Sequence, residues 1–188
     1  MCGSASFVLG PAWGLLALPV VVPAFLWLRR QQLGDTRTWL ELTAIVYLDV
    51  LLSLTFLPFP LPPYATQPGC PFVYIFPFGT IWPAIHTALG SQEWHYLAGN
   101  VLAFVPVGVL VPLFRPNDRR PWRTVLAVGF GLSLAIELGQ LAVSLLLGFT
   151  YRQADVDDLI VNTFGAAAGY ALLLGTKWLV RALATRPR

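Results

Sequence analysis

Long apolar runs constrain this chain more than any other feature. Five of them, at about 7–28, 39–57, 94–114, 122–147 and 156–180, stand out. Each comes near the ~20 residues an α-helix needs to cross the hydrocarbon core of a bilayer. The fourth is longer than a perpendicular crossing requires, and tilts or projects beyond the lipid. Of the 188 residues 56% are hydrophobic and only 11% charged, too few charges to cover a water-soluble domain. Inside lipid, backbone amides must be bonded within the chain, which favours helices. The expectation is an all-α, polytopic transmembrane helical bundle of about five spans, forming a single integral membrane domain over 1–188.

The basic residues give the orientation. Arg29, Arg30 and Arg37 lie between the first two runs, Arg115, Arg119, Arg120 and Arg123 between the third and fourth, and Lys177, Arg181, Arg186 and Arg188 at the end. Eleven of the twelve basic residues thus fall on one side, which the positive-inside rule makes the cytoplasm. The expected product is a multi-pass cell-membrane protein with its N-terminus outside and its C-terminus cytoplasmic. The net charge of +3 is then a topology signal, and a nucleic-acid partner is excluded. The first run has no basic stretch before it, so it does not read as a cleavable signal peptide. Cys2 and Cys70 fit either a pair on an oxidising side or two free thiols, and neither lies in a metal-binding spacing. Arg152 is the one basic residue expected outside.

Residues 58–92 break the helical pattern. They are rich in proline and aromatic residues and contain no Asp, Glu, Lys or Arg. Pro77 and Pro83 interrupt any sixth span over 72–89. The segment is too apolar for a free aqueous loop, and reads as an interfacial or re-entrant lid between spans two and three.

Polar residues inside the runs mark candidate positions, because ionisable groups in hydrocarbon are costly and turn toward partners or cavities. Asp49 and Glu137 are the two clear cases. Ser133, Glu137 and Gln140 share one helix face, as do Asn100, Phe104 and Gly108. Asp155, Asp158, Asn162, Gly165 and Gly169 form a stripe at the start of the fifth run, from which Asp157 points away. Asn100 and Asn162 fall ~10 Å, and Glu137 ~15 Å, below the outer helix ends. Local explanations stand beside a functional one. Asp155 can cap a helix whose dipole favours carboxylates, Asn100 and Asn162 can bond neighbouring helices, Gly165 and Gly169 suit close helix packing, and Pro106 suits a kink. His86 and His95 read as solvated interfacial histidines.

Three blocks carry a resemblance: GNVLAFVPVGVLVPL (99–113), SLAIELGQ (133–140) and RQADVDDLIVNTFGAAAGY (152–170). In order and spacing they resemble the hallmark blocks of the VanZ-like membrane proteins, over a core of about 72–170. The matching positions are Asn100, Phe104, Pro106, Gly108, Glu137, Gln140, Arg152, Asp155, Asp157, Asp158, Asn162, Gly165 and Gly169. Members often carry an Asn three residues before the Pro-Phe pair of the lid and a basic residue after it, where this chain has Tyr74 and Gly79. The family is named for a protein that raises resistance to teicoplanin, a lipid-tailed glycopeptide, and no settled reaction comes with the name.

The leading expectation is an outer-leaflet polar site that binds or excludes an amphiphile: a lipoglycopeptide or a lipid-linked cell-wall precursor, beside ordinary membrane lipids. Its ligand-binding residues would be Asn100, Glu137, Gln140, Arg152, Asp155, Asp158 and Asn162, with Arg152 facing an anionic headgroup or turned toward Glu137. Pro106, Gly108, Gly165 and Gly169 would be structural. The alternative is an intramembrane acid/base enzyme acting on a lipid or lipid-linked substrate, with Glu137, Asp155 and Asp158 as catalytic candidates. Ion-coupled transport through Asp49 and Glu137 ranks last. No metal and no cofactor is expected.

Overall fold

In the computed structural model, which describes residues 15, 17–57 and 73–185, four helices are long and apolar enough to cross a membrane. They are α2 (Thr36–Phe56), α4 (Gln92–Phe114), α5 (Pro121–Leu147) and α6 (Val156–Ala184). Two shorter helices, α1 (Leu18–Leu28) and α3 (Ile81–His86), a single 3-10 turn (Arg30–Gln32), and two short strands, β1 (Val73–Tyr74) and β2 (Ala154–Asp155), complete the described elements. The strands pair as a two-stranded sheet. The chain is an all-α polytopic membrane protein.

Capping explains why the helices begin before the apolar runs do. Asp35 accepts from the amide of Arg37 at the start of α2, and Ser91 from that of Trp94 at the start of α4. Side-chain acceptors of this kind satisfy amides that have no partner in the first turn. α5 opens on Pro121, whose missing N–H costs nothing there. It closes at Gly148, whose φ of +75° suits the left-handed residue that ends a helix, with its amide on the carbonyl of Ser144 at 3.0 Å. α6 runs past the expected end at residue 180, through Arg181 to Ala184.

Of the expected first span, Leu18–Leu28 is helical; 7–14 and 16 lie outside the described residues. So do 58–72 of the expected lid. Its described remainder is β1, a turn and the six residues of α3, which leaves no sixth span across 73–89.

The described residues fall into two compact units, one of the chain up to Val73 with Leu138–Ala154, the other of Tyr74–Glu137 with Asp155–Arg188. In the first, the end of α2 is held by side chains that follow the middle of α5. The last carbonyls of a helix have no partner within it; here the Ser53 carbonyl accepts from the Leu57 amide, and the next four are taken in turn. Arg152 Nη2 donates to Leu54 (3.4 Å) and Leu57 (3.1 Å), Gln140 Nε2 to Thr55 (2.9 Å), and the Tyr151 hydroxyl to Phe56. The Ser144 hydroxyl accepts from the Tyr151 amide at 3.1 Å, fixing the loop that presents them.

In the second unit, α4 and α6 meet backbone to backbone. A Cβ on Gly108 would lie 2.0 Å from the carbonyl oxygen of Ala166, one on Gly165 2.3 Å from that of Val101, and one on Gly169 2.0 Å from that of Val105. Without glycine the helices could not approach so closely, the small-residue packing that membrane helices use in place of a hydrophobic driving force. Pro106 removes one helical N–H, yet α4 continues unbroken through it.

Candidate functional site

The second unit gathers its polar groups at the N-terminal end of α6. Asp155, Asp157, Asp158 and Glu137 are 8%, 1%, 7% and 6% exposed. Four carboxylates buried together demand compensation, and the positive end of the α6 dipole supplies part of it. Hydrogen bonds supply the rest. Asp155 caps α6 by accepting from the Asp157 amide at 2.9 Å, and its other oxygen accepts from Thr80 Oγ1 at 2.5 Å. Glu137 Oε2, on α5, accepts from the Asp155 amide at 3.0 Å. Asp158 accepts from the Tyr96 hydroxyl at 2.7 Å and from Asn100 Nδ2 at 2.8 Å, both on α4. Burial pushes the Asp155 carboxyl above its ordinary range, while the bonds from Thr80 and the Asp157 amide pull it down.

Below this layer, Asn162 Nδ2 donates to Ser133 Oγ at 2.9 Å, and that hydroxyl donates to the Asp158 carbonyl at 3.3 Å. Asn162 Oδ1 is buried without a hydrogen-bond partner. The structure thus gathers Asn100, Glu137, Asp155, Asp158 and Asn162 around the first turns of α6, in two sets of hydrogen bonds that also take in Tyr96, Thr80 and Ser133.

Gln140 and Arg152 have other partners. Both belong to the first unit, where they hold carbonyls at the end of α2. Arg152, expected to face an anionic headgroup or Glu137, donates through Nη2 to the Leu54 and Leu57 carbonyls. A guanidinium is a strong complement to the negative end of a helix, and α2 ends just before the lid, near enough in the fold for Arg152 to reach.

Asp157, read from the sequence as pointing away from the stripe, does so for a reason. Its Oδ1 accepts from the Phe78 amide at 2.6 Å, and its Oδ2 from those of Thr80 and Ile81 at 2.7 and 3.0 Å. Phe78 has a φ of +66°, a left-handed conformation that costs a non-glycine residue roughly 1–2 kcal/mol. One hydrogen bond to a charged acceptor contributes ~1.5–3 kcal/mol, so the three to Asp157 outweigh the strain. No local pattern could have revealed this bond, since its partners lie 79, 77 and 76 residues away.

The remaining candidates are local. His86 Nδ1 lies 2.8 Å from the Trp82 carbonyl and His95 Nδ1 2.7 Å from that of Ser91. Asp49 Oδ2 is buried without a hydrogen-bond partner. Among the described residues, no group of three or more His, Cys, Asp or Glu is arranged to hold a metal ion.

Apolar helices long enough to span a bilayer, tied by a buried polar network at the head of the last one, define a polytopic integral membrane protein. The chain belongs to the VanZ/LLP1 family, whose model matches residues 44–180. The match begins inside α2, ahead of the core expected at 72–170, and so takes in the helix end held by Gln140, Tyr151 and Arg152. No curated protein and no solved structure matches significantly.

Proposed function

We propose that the α6 network is the head-group site of a membrane protein that binds or sequesters an amphiphile. One observation carries the reading. The network is rich in buried acceptors, and its Asn162 Oδ1 has no donor. The donors that reach Asp155, Asp157 and Asp158 are neutral hydroxyls, amides and one side-chain amide. A ligand suited to such a place brings donors, as a protonated amine or a sugar hydroxyl does, and an anionic phosphate does not. Lipid-tailed glycopeptides offer such heads, and among lipid-linked cell-wall precursors the sugars and amines, not the phosphates, would be the groups held. The eleven basic residues that the positive-inside rule assigns to the cytoplasmic side support a site that opens toward the outer leaflet.

The enzymatic alternative gains no support. Its candidates Asp155 and Asp158 each have both carboxylate oxygens engaged in hydrogen bonds, and Glu137 Oε2 accepts from the Asp155 amide.

The test is growth of a sensitive Gram-positive host expressing wild type or Glu137→Gln at matched membrane levels, with teicoplanin and with vancomycin. The expected result is protection by wild type against the lipid-tailed drug alone, lost in the variant. Fluorescent teicoplanin titrated onto the purified protein in nanodiscs then separates binding from indirect effects. No protection and no binding by wild type would overturn the proposal.

A further inference from the structure

The turn that Asp157 holds has an unusual combination of properties. Its side chains face outward and are apolar: Ile75 and Phe76 are each 68% exposed and Trp82 63%, with Phe78, Ile85 and Leu89 also exposed. Between Asp49 and Glu93 the sequence has no Asp, Glu, Lys or Arg. Outward apolar side chains alone do not say what covers them. The backbone does.

Every amide from 77 to 84 either is absent or has an acceptor within the protein. Pro77 and Pro83 have no N–H. Phe78, Thr80 and Ile81 donate to Asp157. Gly79 donates to the Phe76 carbonyl at 3.3 Å, Trp82 to that of Phe78 at 3.0 Å, and Ala84 to that of Thr80 at 3.4 Å. The polar side chains are engaged as well, Thr80 with Asp155 and His86 with the Trp82 carbonyl. Surface turns in water leave such amides to the solvent. A turn that satisfies all of them internally while exposing aromatic and aliphatic side chains meets the condition for irregular backbone in an apolar medium.

We propose that residues 75–89 form a wedge immersed among the acyl chains of the bilayer, and that Asp157 makes the immersion possible by accepting the three amides the turn cannot satisfy itself. The inference rests on the chain's being a membrane protein and is independent of the ligand proposed above. The wedge is a lipid-binding surface of α3 and its preceding turn. Asp157 is its positioning residue.

The test uses a full-length chain with Cys2 and Cys70 replaced by serine, a nitroxide on a cysteine at Phe76 or Ile85, and reconstitution in phosphatidylcholine–phosphatidylglycerol vesicles. Labels at Leu172, on the exposed face of α6, and at Asn117, in the α4–α5 loop, calibrate lipid and water. Oxygen should relax the Phe76 and Ile85 labels more than a water-soluble nickel chelate does, as at Leu172. A nickel response like that at Asn117 would overturn the proposal, and so would spin–spin broadening showing that a second copy covers the face. Asp157→Asn should raise label mobility at Ile85 and shift it toward the nickel-accessible pattern. If that variant does not fold, Asp157→Glu, which keeps the charge but displaces it by one methylene, should still raise the mobility. Unchanged spectra in a folded variant would remove Asp157 from the role.

Discussion

The ring of Tyr74 lies against the α-carbon of Gly79, so that a Cβ at 79 would come within 2.4 Å of Tyr74 Cε1. These are the two lid positions singled out by the sequence resemblance. The ring occupies the space a side chain at 79 would need. Gly79→Ala alone therefore has to displace the ring, and should lower stability by about 1 kcal/mol, the lower end of overpacking costs because the ring's far end can swing. In a Tyr74→Asn background the same substitution should be close to neutral. A double-mutant cycle of thermal unfolding in detergent reads the difference, and strict additivity would show that the two positions are independent.

The glycine seam between α4 and α6 predicts a sharp contrast along one helix. Gly169→Ala places a methyl 2.0 Å from the Val105 carbonyl oxygen, where only separation of the helices relieves the clash. A loss of about 1–3 kcal/mol is expected. A methyl on Gly175 would meet nothing within 4 Å, so Gly175→Ala should be neutral or stabilising by up to ~1 kcal/mol through helix propensity. Equal midpoints for the two variants would contradict the seam.

Arg152 gives a stability prediction where the sequence suggested a ligand contact. Arg152→Ala leaves the Leu54 and Leu57 carbonyls without this donor and should cost about 1–2 kcal/mol. Arg152→Lys keeps the charge but not the fork, and should fall between. Hydrogen exchange at the end of α2, with and without each substitution, locates the loss; a uniform change across the chain would argue against a local cap.

Asp155 links stability to pH. Its carboxyl titrates above the ordinary range because burial disfavours the charge. The folded state therefore binds the proton more tightly than the unfolded state does. The resulting stabilisation is fully present below the ordinary Asp value of about 3.9, and is lost as pH rises through the raised folded value. Asp155→Asn keeps an N-capping oxygen and removes the titration. Unfolding midpoints against pH should fall for wild type relative to this variant as pH rises through that window, and parallel curves would refute the assignment.

Much of this architecture is legible in the sequence because lipid imposes a simple rule on it. The apolar runs give α2, α4, α5 and α6 to within a few residues, the errors falling mainly where Asp35 and Ser91 extend a helix backward and where α6 runs on to Ala184. The stripe of Asp155, Asp158, Asn162, Gly165 and Gly169 follows from helical spacing alone, and the structure puts all five on the buried side of α6. What spacing does not contain is the far end of a hydrogen bond. Arg152 and Asp157 lie three and one residues from members of that stripe, yet their partners are set by where α2 ends and where a turn of the lid comes to rest. Tyr96 carries no signal of its role in the sequence, because its hydroxyl bonds Asp158, 62 residues further along the chain.

The long reach of these bonds also orders the chain's assembly in time. The amides of Phe78, Thr80 and Ile81 leave the ribosome well before Asp157 exists to accept them, and the carbonyls of Leu54 and Leu57 well before Arg152. Each early segment is thus incomplete until the final helix is delivered. A nascent chain halted ahead of residue 152 carries both sets of polar backbone groups without these partners. The last helix acts as the latch that ends that exposure.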